Sequence, residues 1–362
     1  MENKKHRPIF DYLRLICCLE IIFVHVIKDR FDVKGASLQG IARISLPMFF
    51  LLSGALILAS GREIKLGEFY LKRVEKILIP FMIYSLYYSC WLNQGHRILE
   101  VPTKDSLIFG FRYIPNGIKE LLQNQVYFHF WFMYALIGIY IFIPFFQKGL
   151  KALNQTYLRA LVIVILIMSS FEVYLPLIGI QFGFTNLVFG WVMYPIVGYA
   201  LLQIKNRKYW WWIMSAGIAS LILTIIWRVN AGSTEALCTN FYDLAPHMLI
   251  QTCGMFAFFM LIEEPLTHFV WINRIVTWVS RYTFSVYMIH GFILIYYMGT
   301  HPGCDSSLRA CVKTTIIISL LSFVFSVLVD SILVNNVQRL FRLLIQGIAK
   351  LVNKKRVQAI SE

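Results

Sequence analysis

Apolar runs of about twenty residues, the length that spans a bilayer, recur along almost the whole chain. A soluble domain rarely shows such recurrence. The 362 residues are 58% hydrophobic, with a mean hydropathy of +0.64. The expected fold class is therefore all-α, a polytopic integral membrane helix bundle. Spans fall at 9–28, 38–60, 74–93, 127–146, 157–175, 185–203, 209–228, 245–263, 282–300 and 312–334, about ten transmembrane helices. An even number of crossings puts both termini on one side. That side collects 22 Lys and Arg residues against 10 on the other, so the termini are expected to be cytoplasmic. The spans use nearly all of the chain, and any chemistry falls to the helices and their loops.

The remaining bulk properties narrow the class. A net charge of +15 does not imply nucleic-acid binding, because the basic residues are dispersed between apolar runs. The first apolar run carries charges and lacks a small-residue cleavage site, unlike a signal peptide. Seven cysteines show no metal-ligand or redox spacing, and no metal is expected. Cys304 and Cys311 share a predicted loop that allows a local disulfide, but free thiols are the expected state.

The stretch RPIFDYLRLICCLEIIFVHVIK, residues 7–28, holds the most chemistry. Asp11, Arg14, Glu20 and His25 interrupt it, and a charge at bilayer depth costs at least ~2.5 kcal/mol on insertion scales. Eleven residues at about 100° each bring Arg14 and His25 onto one helix face, about 16 Å apart along the axis. Glu20 sits roughly 140° round from His25, so the two are not a catalytic pair. Asp11 reads as glue between helices. Arg43, near the outer end of span 2, is expected to bridge to Glu20, and Ser53-Gly54 in the same span to admit a close backbone.

Other candidates come in two groups. Lys72, Arg73 and Lys76 gather at the cytoplasmic start of span 3, as a positive-inside anchor or as a phosphate site. His129 and Trp131 stand at the outer edge of span 4, and Glu172 near the outer end of span 5. Trp131 alone fits an interfacial aromatic belt. The polar stretch 94–126 reads as a long outer loop. Glu263 and Glu264 read as solvated, and His290 either as glue or as a ligand. The tail from 337 to 362 is basic and amphipathic and reads as a cytoplasmic surface helix, distinct from the transmembrane domain over 1–336.

Taken together, DYLRLICCLEIIFVH, SLPMFFLLSGALI, FYLKRVEKILIPF, HFWFMYALIGIYIFIPF and SRYTFSVYMIH resemble the membrane acyltransferase 3 family, in that family's order and over most of the chain. One departure is Lys76, where the family often has a second Arg three residues after the first. Lysine keeps the charge and loses the bidentate fork. The form of span 2, with Arg43, looks most like the branch that O-acetylates surface polysaccharides. The resemblance implies transfer of an acyl group, most often acetyl, from cytosolic acyl-CoA as donor substrate to a glycan hydroxyl, in the bacterial cytoplasmic membrane and with no tightly bound cofactor. It implies a catalytic role for His25 and Arg14, with His25 as general base or as acyl carrier. CoA phosphates would be held by Arg73, Lys76 and Lys72, and the acceptor by His129, Trp131, Arg43 and Glu172. A transporter or flippase for a lipid-linked glycan is the rival reading, with the same charges lining a pathway. A structural or sensory subunit is a third.

Overall fold

A computed structural model of the chain describes residues 6–27, 32–60, 63–91, 114–182, 190–231 and 243–361, all helix, turn or coil with no strand. The helices are α1 (Ile9–Val26), α2 (Val33–Arg43), α3 (Ser45–Ser53), α4 (Leu66–Arg73), α5 (Ile79–Trp91), α6 (Ile114–Leu122), α7 (Trp131–Ala152), α8 (Gln155–Tyr174) and α9 (Met193–Leu201). They continue with α10 (Arg207–Ala231), α11 (Pro246–Thr267), α12 (Val270–Ser280), α13 (Thr283–Thr300), α14 (Leu308–Val329) and α15 (Asn335–Ser361). Among the described residues, six stretches are long and apolar enough to cross a membrane: Val33–Leu58, Phe128–Ala152, Gln155–Ile178, Arg207–Ala231, Pro246–Thr267 and Leu308–Val352. The other four expected spans also fall on helices, α1, α4–α5, α9 and α13, which are shorter or more heavily charged.

Two expectations change. Span 2 is not one plain helix from 38: α2 begins at Val33, and the chain breaks at Ile44 before α3. The break places Pro47 in the first turn of α3, where a missing N–H costs no helical bond. The loop expected over 94–126 lies outside the described residues as far as 113, and beyond that Ile114–Leu122 is helical.

The chain divides into two compact units. The first comprises Met1–Glu63, Gly138–Thr283 and His301–Ser319. Helix α1 is packed there by α2, α3, α11 and α12. Its buried residues Ile9, Leu13, Cys17 and Ile21 follow one another every fourth position, with Phe10, Cys18, Ile22 and Val26 on the adjoining stripe. Pro8 precedes the helix, where its missing N–H is no loss.

Glycines set how closely this unit's other helices pack. A Cβ on Gly54 would collide with the Pro195 carbonyl, and one on Gly198 with that of Leu51, so α3 and α9 cross with their backbones touching. Gly217 of α10 meets Gly254 of α11 in the same way. The close approach expected at Ser53-Gly54 is therefore made by α9.

The second unit comprises Ile64–Ile137, Phe284–Thr300 and Leu320–Glu362. A π-helical turn, Val74–Leu78, joins α4 to α5. Another, Asp330–Val334, joins α14 to α15. The Asp330 carboxylate accepts from Tyr84 at 3.1 Å and from Ser285 at 2.7 and 2.9 Å, which ties α5, α13 and the end of α14 together. Helix α15 exposes Leu340, Leu343, Leu344, Ile348 and Leu351 on one apolar stripe.

Candidate functional site

In the first unit, α1 carries Arg14 and His25 on an unbroken helix. The Arg14 guanidinium bonds Asp11 one turn earlier, at 2.9 Å. Asp11 is only 3% exposed, and it also accepts from Thr277 of α12 at 3.0 Å and lies 2.9 Å from His6. A buried carboxylate with this many donors is a structural anchor: it seats α1 on α12 and holds the Arg14 guanidinium. His25 is half-buried at the other end of the helix.

The Glu20–Arg43 bridge is not formed. Glu20 is half-buried, and its Oε2 has no hydrogen-bond partner among the described residues. Arg43 ends α2 and acts electrostatically on Asp243 instead. Burial pushes the Asp243 carboxyl up from the usual 3.8 to about 6, with the Arg43 guanidinium pulling the other way. Asp243 lies just before α11, in a turn whose backbone carbonyl accepts from the Tyr194 hydroxyl. This influence of Arg43 on Asp243 was hidden in the sequence because some 200 residues separate the two.

Two further groups in this unit escaped the sequence reading. Arg228 is fully buried in α10, the helix on which α2 packs. At the end of an apolar run it looked like an ordinary loop-side cation. His247 Nδ1 bonds the Tyr174 hydroxyl at 2.7 Å, two residues along α8 from the half-buried Glu172. Glu263 is also corrected: its carboxylate holds Arg7 through both oxygens, with Nε at 2.6 Å, while Glu264 is exposed beside Arg207 at 3.1 Å. Cys304 and Cys311 are both free thiols.

The second unit holds the other candidates. Lys72 is exposed, and Arg73 lies over the Phe69 ring at 4.8 Å. Lys76 is engaged by Glu75 at 3.2 Å and by Gln338 at 3.3 Å, and Glu75 also pairs with Arg342 of α15 at 2.9 Å. Of the three cations, Lys76 thus has an evident structural task.

His129 is 3% exposed, whereas Trp131, two residues on, is 36% exposed. The 3-10 turn Phe128–Phe130 turns the His129 ring inward, with Nε2 3.3 Å from the Met288 carbonyl and the ring centroid 4.7 Å from that of His290. Gly291 makes the room, since a Cβ there would stand 2.7 Å from the ring. The Tyr287 hydroxyl donates to the His129 carbonyl at 2.6 Å, and Tyr88 donates to Met288 at 2.9 Å while accepting from Phe292 N–H at 2.8 Å. His290 is wholly buried with Nδ1 2.6 Å from the Tyr287 carbonyl. The motif SRYTFSVYMIH thus supplies the packing partners of His129, which its sequence position alone did not reveal.

The sequence pattern of the acyltransferase domain matches residues 7–334, from the residue before Pro8 to the end of the π-helical turn Asp330–Val334. The chain belongs to the acyltransferase 3 family. Among curated proteins, this acyltransferase 3 chain is 22% identical over 319 residues to the "Probable poly-beta-1,6-N-acetyl-D-glucosamine export protein" of Staphylococcus aureus strain MSSA476 and likewise strain MRSA252, covering 80% of this chain and 83% of each relative. It is 23% identical over 311 residues to the "Putative membrane-bound acyltransferase YfiQ" of Bacillus subtilis, covering 78% of this chain and 80% of that one. No solved structure matches. The protein is therefore a multi-helix membrane member of an acyltransferase family.

Proposed function

We propose that this protein moves an acyl group, acetyl before others, from cytosolic acyl-CoA to a hydroxyl of a cell-surface or lipid-linked glycan across the bacterial cytoplasmic membrane. The observation that carries the reading is the family match, which spans the helical bundle from residue 7 to 334 and not a fragment of it. The unbroken α1 supports it by keeping Arg14 and His25 in helical register. His25 serves as general base in this scheme. It takes the proton of the acceptor hydroxyl while that oxygen attacks the thioester carbonyl, and returns it to the CoA thiolate as the C–S bond breaks. A histidine suits the step because its ordinary pKa lies near neutrality. Acyl-histidine formation, followed by transfer to the hydroxyl, is the variant of the same scheme. Lys72 and Arg73 offer charge for the donor's phosphates, and Trp131 an exposed ring face for a sugar.

A second reading has one specific observation in its favour: the Staphylococcus aureus relatives carry an export name. Membranes from cells making wild type, His25→Ala and Arg73→Ala separate the two. Release of CoA from labelled acetyl-CoA and label in the glycan fraction are measured together. The acyltransferase reading expects labelled glycan from wild type, a drop of 10²-fold or more for folded His25→Ala, on the scale of general-base loss, and a raised donor KM for Arg73→Ala. Wild type that consumes no acyl-CoA, in a strain whose knockout loses surface glycan, would establish the export reading instead.

A further inference from the structure

We propose that a cationic cleft in the first unit binds the phosphate of an anionic phospholipid headgroup. The cleft has a volume of about 730 Å³ and is lined by the segment before α1, the end of α11 and one face of α12. Its charged groups are His6, Arg7, Glu263, Arg274 and Arg281, with Asn273 and Thr277 between them. Among the described residues Glu263 is the one carboxylate of the lining, and both its oxygens are taken by Arg7. Asp11, behind Thr277, is already shared by Arg14, Thr277 and His6. Arg274 and Arg281 are exposed, and among the described residues neither has an ion-pair or hydrogen-bond partner. The cleft therefore presents two guanidinium groups with no anion, a donor pattern that fits phosphate oxygens.

The amphiphilic source follows from α12 itself. At about 100° per residue the helix has three faces. Asn273, Val276 and Ser280 are buried against the protein. Val270, Arg274, Thr277 and Arg281 face the cleft. Trp271, Ile275 and Trp278 form the third face and are exposed, at 66%, 52% and 46%. An eleven-residue helix with a Trp-rich apolar face beside an arginine row matches a helix lying in the plane of the interface, where tryptophans sit at headgroup level. Arg274 and Arg281 lie two turns apart on the row next to that face, where the phosphates of the surrounding leaflet are. A soluble phosphate compound would satisfy the arginines and leave the apolar face without a role.

The full-length protein is purified, delipidated and reconstituted in phosphatidylcholine nanodiscs with or without phosphatidylglycerol, and thermal stability and retained lipid (native mass spectrometry) are measured. Wild type is expected to retain phosphatidylglycerol preferentially and to gain thermal stability from it. Arg274→Ala/Arg281→Ala is expected to lose the preference by about tenfold, the scale of two exposed, solvent-screened ion pairs, while Arg274→Lys/Arg281→Lys keeps most of it. Both arginines are exposed, so the alanine variant is expected to fold, which its stability in phosphatidylcholine alone verifies. If the alanine variant retains phosphatidylglycerol as wild type does, the proposal fails. It fails equally if the variant loses stabilisation by added CoA but not by phosphatidylglycerol, which would assign the cleft to a soluble phosphate. None of these readouts depends on acyl transfer, so they stand whatever becomes of the proposed activity.

Discussion

Asp11 and Asp243 show how differently two acidic residues of one unit are accommodated. Asp11 is ringed by donors and serves as a joint between α1 and α12. Asp243 is dominated by burial, only partly offset by Arg43, and titrates at about 6. Its folded-state pKa lies above the unfolded value of 3.8, so the folded protein holds the proton more tightly. Its contribution to stability is therefore greatest below about pH 4 and is lost as pH rises through about 6, a change on the order of 3 kcal/mol. Thermal unfolding between pH 4 and 7 is expected to show that decline. Asp243→Asn is expected to flatten it, and Arg43→Gln to move it to higher pH, since the opposing charge is gone. An unchanged pH profile in both variants would separate Arg43 from Asp243.

Among the elements, the tight crossings are held by absent side chains. Apolar helices gain little from association in lipid, so close backbone approach and the contacts it permits carry much of the packing. Gly217 and Gly254 face each other where α10 meets α11, and a Cβ on either would stand 2.6 Å from the other's Cα. Gly217→Val is expected to cost about 1–3 kcal/mol by overpacking, read as a lower unfolding temperature in detergent. Gly138→Ala, with open space around the position, is expected to be neutral or slightly stabilising. The paired result distinguishes a packing requirement from general sensitivity to mutation. The π-helical turns at Val74–Leu78 and Asp330–Val334 are a second element-level feature. Such turns often mark functional positions. Here the first follows Arg73 directly and the second opens with the Asp330 that binds Tyr84 and Ser285.

For the whole molecule, the charge asymmetry of the loops makes a global prediction. Reporter fusions at the C-terminus and after Lys65, Lys151 and Arg207 are expected to be active as cytoplasmic reporters, and fusions within 94–113 as external ones. Fusions at the N- and C-termini reporting opposite sides would remove one crossing from the ten expected. Either way, the six stretches that pass on length and composition remain. Each runs to 22 residues or more. The helix that carries Arg14 and His25 is not among them, because Asp11, Arg14 and Glu20 lie within its eighteen residues. Helix α1 is packed by α2, α3, α11 and α12 of its unit, and such enclosure is how a bundle tolerates charge at depth.

The sequence by itself determined the class, the family and the places of most helices. Apolar run length, loop charge and motif order are local or additive properties, and no folding is needed to read them. It also marked Gly54 as a point of close approach and the 14/25 pair as sharing a helix face. Only the tertiary structure decided who pairs with whom. The Arg43 charge acts on Asp243 and makes no bridge to Glu20, Glu263 is bound by Arg7 and not solvated, and His129 turns inward against His290 while Trp131 stays exposed. Each of these outcomes joins residues far apart in the chain. A helix period fixes which side of its own axis a residue occupies, but not which of a dozen other helices comes to that side. That choice is made by the packing of whole surfaces.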